Sequence, residues 1–173
     1  MVLRGAGARS VLLMAAASVL LAGLARAQAG ALDANAVVIG GNLTVTGERA
    51  LDFGLVTQGS APAIAVPAAG SGRWQVRGTP SAEVRLSFLL PSLLTVDAHS
   101  MPISFGPTSA GRFGVNLPAF ATLFDPAAGT TARLRAGLGV LFVWLGGTVT
   151  VAPAQPPGLY TGAVTLVVSY TGN

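Results

Sequence analysis

Apolar and polar residues alternate with a period of two along most of the chain after residue 40. Val164, Leu166, Val168 and Tyr170 fall on one side of an extended backbone, and Thr165 and Ser169 on the other. Val84, Leu86 and Phe88 alternate with Arg85 and Ser87, and Trp74 and Val76 with Arg73, Gln75 and Arg77. Leu43 and Val45 alternate with Thr44 and Thr46, while Leu51, Phe53 and Leu55 form a further set. Val143, Leu145, Val149 and Val151 are expected to share a face opposite Trp144, Thr148 and Thr150. Successive strand side chains point to opposite faces, so the pattern predicts strands with one buried and one wet side. Antiparallel sheets have that character, whereas buried parallel strands read as unbroken apolar runs. Valine and threonine dominate the clearest runs, as expected where branched side chains fit a pleated surface.

Turn residues punctuate these runs: Gly40-Gly41, Gly47, Gly54, Gly59, Gly70, Gly72, Gly78-Thr79-Pro80, Pro91, Pro107, Gly146-Gly147, Pro156-Pro157-Gly158 and Gly172. Short alternating runs between such breakers predict an all-β sandwich or barrel. No segment of the mature chain sustains helical spacing. Met101, Ile103 and Phe105 predict one strand and Thr131 to Leu134 another, with Gly106 to Thr130 read as a long ordered connection. The set Leu43, Val45, Phe53, Trp74, Val76, Val84, Leu86, Phe88, Val149, Val151, Val164, Leu166, Val168 and Tyr170 is expected between two sheets. Arg73, Arg77, Arg85, Thr148, Thr150, Thr165 and Ser169 are expected to be more exposed.

The N-terminus has a different pattern. Arg4 and Arg9 precede an uncharged apolar run from Val11 to Leu24, followed by Ala25-Arg26-Ala27 and Ala27-Gln28-Ala29. That run is shorter than the roughly 20 residues a spanning helix needs. A basic start, an apolar middle and an A-x-A site predict a secretory signal peptide over 1–27. The mature chain is then expected to begin at Gln28 or, by the second site, at Gly30. It contains no further apolar stretch long enough for a transmembrane segment. Export would place it in the periplasm, at the cell surface or outside the cell. The domain organisation predicted is a signal peptide over 1–27, an N-terminal extension over 28–39 and a β-sandwich domain over 40–173.

Removing the signal changes the charge. The full chain has a net charge of +4, but the mature part keeps seven arginines against six acids and has no lysine. Nucleic-acid binding asks for a clustered basic face, whereas Arg73/Arg77 and Arg133/Arg135 are pairs, so no nucleic-acid partner is expected. About 146 mature residues suffice to bury roughly two-thirds of the unfolded surface in one domain. The chain has no cysteine, so its core, or a neighbouring molecule, must hold it together without disulfides.

Candidate chemistry is sparse. The single histidine, His99, stands two residues from Asp97, a spacing that puts both on one side of a strand. With no cysteine and no second histidine, a metal site or cysteine nucleophile is not completed, and a turn-exposed histidine is the simpler reading. No G-x-S-x-G elbow occurs, since Ser71 stands in Ala69-Gly70-Ser71-Gly72-Arg73. No phosphate loop or dinucleotide fingerprint is present. Asp33, Glu48, Asp52, Glu83, Asp97 and Asp125 are scattered and form no calcium loop, although two of them converging would make a glycosidase pair. Asn42-Leu43-Thr44 matches the N-glycosylation pattern and is read as a strand start. Trp74 and Trp144 are either packing residues or sugar-stacking platforms, with packing favoured. No cofactor, no metal and no enzymatic activity are expected.

Three segments carry a resemblance. They are Leu51-Asp52-Phe53-Gly54, Trp74-Gln75-Val76-Arg77-Gly78-Thr79-Pro80, and the stretch from Val143 through Pro157-Gly158-Leu159-Tyr160-Thr161-Gly162 to Tyr170. Together they resemble the domain-of-unknown-function family 4402 of small secreted bacterial proteins. The pattern P-G-x-Y-T-G, followed by alternating valine and threonine and a closing tyrosine, is also similar to archaic chaperone–usher pilins of the spore-coat-U type. The resemblance spans nearly all of the mature chain. It implies an immunoglobulin-like antiparallel β-sandwich that, in pilins, lacks its last strand. In such pilins the N-terminal extension of the next subunit fills the gap, after a periplasmic chaperone and an outer-membrane usher have guided the exchange. The sequence departs from the pilin pattern in lacking a cysteine pair and in carrying Thr171-Gly172-Asn173 after the closing tyrosine.

These readings converge on a secreted structural or adhesive cell-surface subunit whose partners are other copies of itself or related subunits. Leu32, Ala34, Ala36 and Val38 alternate with Asp33, Asn35 and Val37 and form the candidate donor strand, as strand addition requires. Val164, Leu166, Val168 and Tyr170 form the candidate acceptor edge. The alternative is a self-complete monomeric adhesin, matrix or glycan-binding sandwich in which the same segment is its own first strand. A secreted hydrolase is the residual reading.

Overall fold

The computed structural model of the chain describes residues 26–39 and 42–172. The expected signal peptide therefore lies outside the described residues except for Arg26 and Ala27, as does the Gly40-Gly41 break. The fold is an all-β, immunoglobulin-like sandwich of two sheets. Strands β1 (Arg26–Ile39), β2 (Thr44–Arg49), β3 (Leu51–Asp52), β4 (Leu55–Thr57) and β5 (Ala63–Ile64) come first. Next in the chain are β6 (Gly72–Arg77), β7 (Glu83–Leu89), β8 (Leu93–Val96), β9 (His99–Ser104) and β10 (Ala110–Phe113). Strands β11 (Thr122–Phe124), β12 (Thr130–Arg133), β13 (Val140–Leu145), β14 (Gly147–Val149) and β15 (Leu159–Tyr170) complete the set. Among the described residues the only helical element is one 3-10 turn, Pro118–Phe120. No helix among them is long and apolar enough to cross a membrane.

One sheet runs β11-β10-β13-β6-β2. The other runs β12-β7-β15-β8-β9-β14-β5, with β1 on the far side of β15 and β3 and β4 beyond it. Trp74, Val76, Leu141, Val143 and Leu145 from the first sheet meet Val84, Leu86, Phe88, Val164, Leu166 and Val168 from the second in one buried cluster. Trp74 and Phe88 pack edge to face at 5.5 Å, a favoured aromatic geometry. Each large side chain so buried is worth about 1.5–3 kcal/mol, and this cluster closes the sandwich without a disulfide. The expected core set is buried throughout except Val45 and Tyr170, which are half-buried. Of the polar set, Arg77, Arg85 and Thr150 are exposed, and Arg73, Thr148, Thr165 and Ser169 are half-buried.

Three expectations are corrected. Trp144 was expected opposite the buried face, yet it is buried along with its neighbours Val143 and Leu145. The reason is that Trp144 pairs with Gly111, over which Val66, Ala121 and Leu123 pack, so this end of the outer face of β13 is covered while Phe142 stays half-buried. Val149 and Val151 do not continue that strand, because the chain leaves the sheet at Gly146, whose N–H donates to Ser109 O at 2.7 Å. A side chain at Gly146 would collide with the carbonyl oxygen of Ile64. Second, the segment read as a connection from Gly106 to Thr130 contains β10, β11 and the start of β12. Alternation was hidden there by Gly111, which lies under Val66, Ala121 and Leu123, where a Cβ would not fit. Third, Asp97 and His99 do not share a strand. Asp97, at φ 47°, begins the two-residue turn of the β8–β9 hairpin, in which Val96 pairs with His99. His99 is exposed at that turn, as the simpler reading held.

Candidate functional site: the groove holding the N-terminal strand

The pairing of β1 with β15 is the only parallel one among the described residues; every other pairing is antiparallel. It runs parallel to β15, from Gln28 opposite Leu159 to Ile39 opposite Ser169, with one irregularity between Ala29 and Leu32. Its first half is also paired on the other edge. Arg26 to Gln28 align with β4, and Ala31 and Leu32 with β3. From Gln28, the expected start of the mature chain, to Leu32, β1 therefore lies in a slot between β15 on one side and Leu55, Leu51 and Asp52 on the other.

The floor of the slot is the sandwich core. Leu32 is 1% exposed, and Ala34 and Ala36 are half-buried against the core cluster. Val38 is 37% exposed, because by then the flanking strands have ended and only β15 accompanies β1. Three of the four expected donor residues thus face the core, and the fourth sits at the rim. Of the acceptor residues, Val164, Leu166 and Val168 are at most 1% exposed, and Tyr170 is half-buried at the end of β15.

Close approaches tie β1 to the opposite sheet. The indole N–H of Trp74 donates to Asn35 O at 3.1 Å, so one side chain fills the core and also holds the β1 backbone. Gly47 of β2 passes so near Ala34 that a Cβ there would strike its carbonyl oxygen. Within its own sheet, Gly30 packs so closely on the Tyr160 backbone of β15 that a Cβ there would strike the Tyr160 carbonyl oxygen.

The segments that carried the sequence resemblance meet around this slot. Leu51 and Asp52 form its outer wall, and the Asp52 carboxylate accepts the Gly54 N–H at 2.8 Å to turn the chain at the left-handed Gly54. Trp74 is in the floor, and Val164 to Tyr170 form the inner wall. The Tyr170 hydroxyl accepts the Thr79 N–H at 2.8 Å. It occupies the space a side chain at Gly78 would need, which explains glycine in the Gly78-Thr79-Pro80 turn.

Sequence reasoning singled out Tyr160 only as part of the P-G-x-Y-T-G pattern, gave it no structural role, and missed Gln155. Tyr160 is fully buried, accepts a hydrogen bond from Gln155 Nε2 at 2.6 Å and donates to Pro156 O at 2.9 Å. Gln155 Nε2 also donates to Ser100 O at 3.0 Å. This buried network fixes the Pro156-Pro157-Gly158 loop and hence the start of β15. A tyrosine in a run of otherwise aliphatic inward residues was the available signal.

Little here is equipped for acid–base chemistry. No group of three metal-capable side chains occurs among the described residues. A surface cavity of about 300 Å³ lies between Ala63–Pro67, Thr108, Ser109, Leu123, Gly147 and Thr148 and carries no ionisable side chain. Trp74 and Trp144 are 1% and 0% exposed, so neither is a sugar platform. One salt bridge occurs among the described residues, Arg73 Nε to Glu48 Oε2 at 2.7 Å, as an ion pair rather than an aligned hydrogen bond. Burial, and then the proximity of Arg73, lower the pKa of Arg49 from its ordinary value. Arg49 instead donates to the Ser71 carbonyl and hydroxyl at 2.7 and 2.9 Å.

The chain matches no family model, and no curated protein matches it.

Proposed function

We propose that this chain is an exported structural or adhesive surface subunit, pilin-like, that assembles by passing its N-terminal strand into the groove of a neighbouring copy or related subunit. The observation that supports this reading is β1, paired parallel to β15 and lying in a slot whose walls and floor come from the rest of the domain. Parallel pairing is slightly less stable per residue than antiparallel pairing. A neighbour's strand entering the same slot antiparallel would bury the same kind of residues with the better ladder. An empty slot would expose the edge of β15 and the core beneath it, an aggregation hazard that has to be covered. Within one chain β1 covers it; during assembly a chaperone would do so, and an usher would direct the exchange. The domain has no enzymatic role in this scheme.

A second reading is favoured by the same strand being paired on both edges within its own chain: a self-complete monomeric adhesin. Deleting residues 28–39 separates the two. Under the exchange reading, the deletion variant no longer self-associates but folds again when a peptide of residues 28–39 is supplied. A deletion variant that still polymerises ends the exchange reading. A wild-type chain that stays monomeric at every concentration, with a deletion variant that only unfolds, establishes the self-complete module.

A further inference from the structure

The five-stranded sheet has a second face, turned away from the core, and β1 takes no part in it. Directly paired residues of antiparallel strands share a face, so the register identifies what lies there. One row crosses the sheet as Phe113, Phe142, Gln75 and Thr46. The next row is Val140, Arg77 and Thr44, and on the other side lie Gly111, Trp144 and Arg73. The aromatic rings form two pairs whose members Phe113 and Phe142 are register partners: Phe142 stacks on Trp144 at 6.1 Å, and Phe113 lies 6.5 Å from Phe120, which is 69% exposed. Phe113, Phe142 and Gln75 are half-buried, while Arg77, Thr44 and Thr46 are exposed. One half of the row is therefore aromatic and the other half is built of an amide, a guanidinium and hydroxyls.

Charge is unevenly divided between the sheets. The strands of this sheet carry Arg49, Arg73, Arg77 and Arg112, and their single acid, Glu48, is taken by Arg73. The mature strands of the other sheet set Asp33, Asp52 and Glu83 against Arg85 and Arg133, since Arg26 belongs to the expected signal peptide. Arg77 Nε donates to Gln75 Oε1 at 2.7 Å, which holds the guanidinium beside the row, and no acid is paired with it among the described residues.

We propose that this face binds an acidic polysaccharide. The apolar C–H faces of successive pyranose rings along the polysaccharide lie on Phe120, Phe113 and Phe142. The sugar carboxylate is held by the terminal nitrogens of Arg77, whose planar fork matches it. Gln75 and Thr46 supply a donor and acceptors for neighbouring hydroxyls. A nucleic acid would require several spaced cations along its backbone, and this row offers one that is unpaired. The proposal does not depend on strand exchange, since β1 belongs to the other sheet.

The test is calorimetric titration of the exported chain with an oligogalacturonate, against a neutral malto-oligosaccharide of equal length. Saturable binding of the acidic sugar is expected. It should weaken tenfold or more in Arg77→Gln and in Phe120→Ala, both exposed positions, and stay unchanged in Arg85→Gln on the opposite sheet. The idea is overturned by absence of acidic-sugar binding, by equal binding of the neutral sugar, or by equal weakening in Arg85→Gln. Equal binding of single-stranded DNA or poly-glutamate, indifferent to Phe120→Ala, would reduce the face to a generic cation and overturn it as well.

Discussion

Replacing Leu32 by alanine is the most direct probe of how β1 is held. Leu32 is 1% exposed, pairs with Leu51 on one side and Gly162 on the other, and belongs to the core cluster. Truncating a fully buried leucine to alanine costs about 2–5 kcal/mol, the spread reflecting how far the surroundings relax. Little relaxation is available here, since strands flank the site on both sides. Val38, six residues along the same face, is 37% exposed. Its truncation removes less apolar area from a site already partly wet, for about 1 kcal/mol or less. The assay is urea unfolding of the monomeric chain. With a slope of about 2 kcal/mol per molar, Leu32→Ala should lower the midpoint by about 1–2.5 M, and Val38→Ala by under about 0.5 M. Equal losses, or a larger loss for Val38→Ala, would refute the register, because a one-residue slip would turn Leu32 outward and Asp33 inward.

Tyr160→Phe should destabilise by about 1–3 kcal/mol, because it strips two partners from a buried network. Tyr170→Phe, at a half-buried end, should cost about 1 kcal/mol or less, and thermal unfolding of both variants checks the order. Gly139→Ala should be far more damaging than Gly137→Ala. Both have positive φ, 61° and 77°, but a side chain at Gly139 would strike the Gly78 carbonyl while Gly137 faces open space. The second variant should therefore lose only the roughly 1–2 kcal/mol of left-handed strain, read by the same unfolding curves. N-terminal sequencing of the exported protein should return Gln28, or Gly30 if the second site is used; a chain still beginning at Met1 would refute the signal-peptide reading.

Much of this architecture could be read in the chain itself, because alternation is a local property. Val164, Leu166 and Val168 face the core simply because an extended chain in a half-wet sheet must bury every second residue. The same holds for Trp74/Val76 and Val84/Leu86/Phe88. The turn at Gly54 and the exposed histidine beside the β8–β9 turn were legible for equally local reasons. Where residues distant in the chain cover part of a strand's outer face, as Val66, Ala121 and Leu123 do beside Trp144, alternation stops being informative, and Trp144 was misplaced on that account. Where close packing demands glycine instead of an apolar residue, as at Gly111, the strand goes unrecognised. The slot around β1 is a different kind of fact. Leu51, Trp74 and Tyr170 are separated by 23 and 96 residues in the chain, and no local rule says that they surround one strand. Nor does alternation tell a parallel partner from an antiparallel one, since both put the same side chains on the same face. The direction of β1, its slot and the aromatic-cationic row on the outer sheet were decided by tertiary packing, because only closing the sandwich brings those edges into hydrogen-bonding reach.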